Sequence, residues 1–249
     1  MDQKSDLIDE GTGSALVFLH GAGVDNTLWE PQIAAFGAAH RVIVPNLPGH
    51  GAVPAVETVQ QMADHIRAQL LDCGVRQYAI VGLSLGGMVA LDMAGRWPEE
   101  VTHLVMIESV PNVADNRAAL AMGRAFVSLI RFVSPKLFAL LPARQLGAET
   151  PEAAHYLKRV LPQRKARENH AVLRAALTYD GRPHLPRLSM PTMIMVGEKN
   201  RATHKRAKAM CEAIDQCRFV VIPNAGHIAN RDAPEFVNAK LQSFLQAKP

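Results

Sequence analysis

Cysteine is scarce in this chain: Cys73, Cys211 and Cys217 are the three it has in 249 residues. The count is odd and the spacing fits no metal-ligand pattern. That argues against a thiolate metal centre and for reduced thiols in a cytosol-like compartment. Aromatic residues are few, and neither sign of charge dominates, since 27 Lys and Arg face 23 Asp and Glu for a net +4. The basic residues read as scattered, and the run Arg164-Lys165-Ala166-Arg167 as a solvated helix face, so no nucleic-acid partner is expected. No apolar run approaches the ~20 residues that cross a membrane. The polar start Met1-Asp2-Gln3-Lys4-Ser5-Asp6 has no apolar h-region, so no signal peptide or membrane association is expected, and the expected location is cytoplasmic. Repeats and low-complexity tracts are missing too. What the chain has in quantity is apolar residues, at 48%. That is enough for a large core, and the length fits one α/β domain carrying an insertion.

Short apolar runs alternate with helical patterns. Ala15-Leu16-Val17-Phe18-Leu19, Arg41-Val42-Ile43-Val44-Pro45, Tyr78-Ala79-Ile80-Val81, residues 101–107, 192–196 and 218–222 read as strands. Continuous apolar runs of this length belong to strands buried on both faces. Helical periodicity predicts helices over residues 28–39, 59–73, 88–94, 205–214 and 234–245, with Gly74 stopping the second. The alternation predicts a mostly parallel sheet covered on both faces. Residues 112–186 differ: helical patterns broken by Pro135, Pro142, Pro151 and Pro162, with no convincing strand. The expected organisation is a core of residues 1–111 and 187–249 with a helical cap of three or four helices at 112–186.

Gly82-Leu83-Ser84-Leu85-Gly86-Gly87 is the sharpest chemical signal. A Gly-x-Ser-x-Gly pattern between a buried strand and an apolar helix places the serine on a tight corner, where its neighbours must lack bulk. The helix that follows aims free N–H groups at the same point. A serine hydroxyl needs a base, and a histidine suits neutral pH. Of the ten histidines, His227 fits best: it follows the nucleophile in order and sits in the loop Pro223-Asn224-Ala225-Gly226-His227 after a strand. Oxyanion donors are expected from the N–H of Leu85 and, in the glycine-rich turn His20-Gly21-Ala22-Gly23, the N–H of Ala22. His20 itself reads as a loop organiser.

These motifs, with Pro48-Gly49-His50-Gly51 and Gly226-His227, make the chain resemble α/β-hydrolase-fold proteins over nearly all of it outside the insertion. The resemblance implies a Ser–acid–His triad, an oxyanion hole, no cofactor or required metal, and a helical cap over the pocket. Two positions depart from the family pattern. Asn46 stands where Asp is frequent, at a position more often structural than catalytic. The sharper departure is Gly197-Glu198-Lys199-Asn200, where the family usually has Gly-x-x-Asp with Asp as the triad acid. An Asn orients a histidine but does not stabilise the imidazolium. Glu108, at the end of the strand after the elbow helix, is the favoured acid, as in fold members such as haloalkane dehalogenases that carry it there. Glu198 and Asn200 remain the alternatives. A serine at the elbow, in place of a carboxylate, predicts acyl chemistry.

The expected function is hydrolysis of a small ester, thioester or lactone, with a small-molecule acyl substrate. Met122, Phe126, Leu129, Ile130, Phe132, Phe138 and Leu140 are candidate pocket walls in the cap. The same apolar surface leaves a homodimer face open. The competing readings are a catalytically weakened ligand-binding protein, which Asn200 favours, and an acyltransferase, perhydrolase or C–C bond hydrolase on the same site.

Overall fold

The apolar runs assemble into one seven-stranded sheet in a computed structural model that describes residues 5–246. Most of the polar N-terminal start, Met1 to Lys4, lies outside the described residues. The strands are β1 (Leu7–Glu10), β2 (Ala15–Leu19), β3 (Arg41–Pro45), β4 (Tyr78–Leu83), β5 (Val101–Ile107), β6 (Thr192–Gly197) and β7 (Cys217–Ile222). Their order is β1-β3-β2-β4-β5-β6-β7. Every neighbouring pair is parallel except β1 with β3. The helices are α1 (Glu30–Phe36), α2 (Val59–Asp72), α3 (Leu85–Arg96), α4 (Arg117–Ile130), α5 (Pro135–Phe138), α6 (Pro151–Val160), α7 (Ala166–Thr178), α8 (Arg201–Glu212), α9 (Ala229–Asp232) and α10 (Pro234–Leu245).

Alternation along each strand divides the core in two. Val17 and Leu19 of β2 join α2, α3 and α8, whereas Leu16 and Phe18 join α1 and α10. Burial of each such side chain contributes about 1.5–3 kcal/mol, which is why a run apolar at every position settles as a central strand. The N-terminus of α2 is set by a capping box between Thr58 and Gln61, a device that contributes about 1 kcal/mol. The helix read over residues 28–39 is instead a 3-10 turn, Asn26–Trp29, leading into the shorter α1. Asp25 starts that turn early by accepting from Thr27 N.

Between β5 and β6 the chain runs through α4 to α7 and intervening 3-10 turns, and an isolated bridge from Asn112 to Asp180 ties its two ends together. The apolar residues of this segment do not wall a pocket as the sequence suggested. Met122, Phe126, Leu129, Phe132 and Leu140 are 62–79% exposed, and Ile130 and Phe138 are part-exposed. The helix α4 turns only Val127 fully inward, so its apolar stripe faces solvent. The cysteine expectation also fails. Cys211 at the end of α8 and Cys217 at the start of β7 are joined by a disulfide, with Cα atoms 5.4 Å apart, and Cys73 alone is free. A short turn from helix to strand brings the pair into bonding range, a proximity that spacing alone does not reveal.

Candidate active site

The corner after β4 explains its glycines. A Cβ on Gly82 would lie 2.2 Å from Gly86 O, and one on Gly86 would lie 2.1 Å from Leu19 O. Both distances are far inside van der Waals contact, so strand and helix close up only with glycine at these positions. Ser84 between them has φ 53° and ψ −114°. Its backbone is pinned on three sides: N donates to Ile107 O (2.9 Å), while O accepts from Gly87 N (3.0 Å) and Ser109 Oγ (2.8 Å). Among the described residues, the non-glycine residues with positive φ are Ser84, Glu108 and Asn224. Such conformations cost about 1–3 kcal/mol each and cluster at functional sites. Two of these three stand at the C-terminal rim of the sheet, each directly after one of the adjacent strands β4 and β5.

Glu108 is buried, and its carboxylate gathers donors from three segments. Oε1 accepts from Gly197 N, while Oε2 accepts from Asn200 Nδ2, from Thr203 Oγ1 at 3.1 Å and from His227 Nδ1 at 3.4 Å. Asn200 Nδ2 also lies 3.3 Å from His227 Nδ1. Glu108 and Asn200, rivals in the sequence, are therefore direct partners. Glu198 goes elsewhere: it accepts from Asn224 N at 2.9 Å and pairs with Lys199 at 3.6 Å, and the Asn224 N–H chiefly holds its carboxyl below the usual range. With Nδ1 turned to Glu108, His227 keeps Nε2 for chemistry. Ser84 Oγ forms no hydrogen bond among the described residues; such contacts often tighten only when substrate is bound.

The turn after β2 lies against the serine. A Cβ at Gly21 would sit 3.4 Å from Ser84 Cβ. The N–H groups of Ala22 and Leu85 have no acceptor among the described residues. Leu85 is the first residue of α3, where an N–H has no intrahelical partner. His20 and His50 hold this turn from beneath, with rings 4.6 Å apart. His20 Nε2 accepts from Leu47 N at 3.0 Å, and His50 Nε2 accepts from Gly23 N at 3.2 Å. Asn46 also has a structural place, accepting from Asn26 N and donating to Asp6, each at 2.9 Å.

Burial pushes the His20 imidazole down to about 4 from its ordinary 6.5. Burial, then the charges of His20 and Arg164, hold His50 well below its usual value. Below about pH 6.5 an unfolded His20 takes up a proton that the folded one refuses. The stabilisation is thus complete above pH 6.5 and is lost as pH falls toward 4, about 3 kcal/mol from His20. Urea midpoints should fall across this window, and His20→Gln should flatten the fall. Parallel curves for the two proteins would place the acid sensitivity elsewhere.

Two organising residues carried no sequence signal. Asp232 on α9 accepts from Glu149 N (2.9 Å), Thr150 N (3.0 Å) and Gly226 N (2.9 Å). It thereby ties the His227 loop to the insertion. Thr203, one turn into α8, bonds Glu108 across 95 positions of sequence. Arg164, read as part of a solvated face, turns inward and donates through Nη2 to Gly49 O. Among the described residues no group of three or more His, Cys, Asp or Glu is placed to hold a metal ion, and no helix is long and apolar enough to cross a membrane.

A parallel sheet with a serine corner, a rim histidine on a buried carboxylate and a glycine-rich turn beside it is an α/β-hydrolase arrangement. The sequence pattern of the Alpha/beta hydrolase family matches residues 16–240, and the chain belongs to that family. Carboxylesterase YbfK of Bacillus subtilis is 26% identical over 97% of this chain and 84% of its own length. A pimeloyl-[acyl-carrier protein] methyl ester esterase of Nitrosomonas europaea is 28% identical over 90% and 93%. The solved structure of a thermophilic esterase from Thermogutta terrifontis, with malate bound, superposes with TM-score 0.87 at 27% identity, covering 96% of this chain and 92% of that one. The protein is an enzyme, a hydrolase acting on ester bonds.

Proposed function

We infer that this chain hydrolyses a small ester, thioester or lactone through an acyl-enzyme formed on Ser84, beneath a cap built from residues 112–186. One observation carries the reading: Ser84 and Glu108, both with positive φ, follow adjacent strands at one rim of the sheet, and Glu108 Oε2 lies 3.4 Å from His227 Nδ1. Ser84 Oγ attacks the carbonyl carbon while its proton passes to His227 Nε2. The N–H groups of Leu85 and Ala22 receive the oxyanion. As the tetrahedral intermediate collapses, His227 returns the proton to the departing alcohol or thiol. Water then repeats the sequence on the acyl-enzyme, with His227 again as base, and frees the acid. Glu108 orients His227 and stabilises its cationic form. Asn200 is compatible with the hydrolase reading, because its amide donates to Glu108 Oε2, the carboxylate oxygen that faces His227.

A fluorophosphonate probe tests the reading directly. One adduct per chain, mapped by peptide mass spectrometry to the peptide carrying Ser84, together with turnover of short p-nitrophenyl esters, is the expected outcome. An unlabelled protein, or an adduct on another residue, contradicts it.

A further inference from the structure

Arg164 is a cation without a counter-ion in a place where one is needed. It stands between the 3-10 turn Leu161–Gln163 and α7, and burial lowers its pKa more than any other influence on it. Its Nε is sealed from solvent with no partner, and Nη2 is spent on the carbonyl of Gly49. Nη1 is also unbonded but is not sealed off. Other arginines close to a carboxylate form ion pairs: Arg41 with Asp9, Arg67 with Glu100, Arg96 with Asp92, and Arg206 with Asp115. The charges of Glu168 and Asp25 act on Arg164 through space, and Glu168 is already paired with Lys165 at 3.1 Å. A desolvated guanidinium left unpaired is costly, and a bidentate anion is the partner its planar fork fits best.

Its position says what that anion belongs to. Gly49 adjoins His50, whose ring takes the N–H of Gly23, and Gly23 follows the Ala22 N–H aimed at the oxyanion. A Cβ on Gly23 would lie 3.4 Å from Leu161 and 3.9 Å from Asn169, residues that flank Arg164 in the insertion. Arg164 therefore belongs to the stretch of the insertion that packs against the oxyanion turn, one residue beyond Ala22. The long-range field agrees. Residues 112–186 carry twelve Lys and Arg against five Asp and Glu, while the rest of the chain carries fifteen against eighteen. The basic residues that read as scattered are concentrated in the insertion, a distribution that draws anions toward that part of the protein.

We propose that Arg164 is a substrate-recognition residue, and that the preferred substrate is an ester carrying a second, free carboxylate that seats on its guanidinium. This rests on the hydrolase reading of the Ser84 site. The test compares wild type, Arg164→Gln and Arg164→Lys on monomethyl esters of C4–C8 dicarboxylic acids and on methyl esters of unsubstituted acids of equal length. Calorimetric titration of the same proteins with the free dicarboxylates needs no turnover. Wild type should prefer the charged esters, and Arg164→Gln should cut that preference about 10- to 100-fold, mainly through KM, the range of one charge-assisted hydrogen-bonded pair. Arg164→Lys should restore part of it, and dicarboxylate binding should weaken in parallel. Loss of activity on both series alike, or equal dicarboxylate binding by wild type and Arg164→Gln, would reduce Arg164 to a clip on the Gly49 turn. If neither ester series turned over, the hydrolase reading would fall, and the titration would still decide whether Arg164 holds a carboxylate.

Discussion

Ser84→Ala is expected to lower kcat by about 10⁶-fold while leaving the fold intact. The size follows from what the hydroxyl does alone: the neighbouring hydroxyl at the corner, Ser109 Oγ, is buried and donates to Ser84 O. The intact fold follows from how Ser84 is held. Its bonds to Ile107 O, Gly87 N and Ser109 Oγ all run through its backbone, and the side chain caps nothing in α3. Alanine meets the same positive φ as serine, so it inherits the strain without adding to it. Some acceleration, about 10³- to 10⁴-fold over water, should survive from the oxyanion donors and binding. Steady-state rates on one ester, with thermal unfolding of both proteins, check the claim. A variant with an unchanged melting temperature and more than a few per cent of wild-type kcat would remove Ser84 as the nucleophile.

Where the sequence spoke clearly, it did so through burial. β3 and β5 occupy the residues read as strands, 41–45 and 101–107, because strands covered on both faces are apolar at nearly every position. β1 escaped notice because it is an edge strand, Leu7-Ile8-Asp9-Glu10, half polar and held by pairing with β3 and by the Asp9–Arg41 ion pair. The apolar stripe of α4 misled for the converse reason. Helical periodicity says that one face differs from the other, but not which face meets the protein. At the site, the glycine pattern and the rim histidine were legible as motifs. The relation between Glu108 and Asn200 was not, because it depends on how β5 and β6 lie side by side, 92 positions apart in the chain. Asp232 and Thr203 had no motif at all, since a single hydrogen bond across the fold leaves no local pattern.

That relation makes the acid the most discriminating position to change. Glu108→Gln is expected to lower kcat by about 10⁴-fold. The carboxylate accepts from Gly197 N, Asn200 Nδ2, Thr203 Oγ1 and His227 Nδ1. An amide keeps the shape but brings its own N–H₂ group into a shell made of donors. With the amide oxygen kept on the fixed Gly197 N–H, the N–H₂ group takes the place of Oε2. There the Asn200 amide can flip and the Thr203 hydroxyl can turn to accept, and His227 meets a donor that drives the imidazole proton from Nδ1 to Nε2. The histidine then has no lone pair for Ser84. Asn200→Asp should also lower activity, because it sets a second carboxylate against Glu108 Oε2, and two such groups in contact do not both ionise freely. The pair Glu108→Gln with Asn200→Asp returns a single charge next to Nδ1 and a donor beside it, the present arrangement reversed. It should recover at least about tenfold of the loss in Glu108→Gln, the signature of coupled neighbours. Rates for the four proteins at one pH decide among the assignments. A Glu108→Gln enzyme near wild type would dismiss Glu108, and an Asn200→Asp enzyme faster by orders of magnitude would show that the charge belongs at position 200.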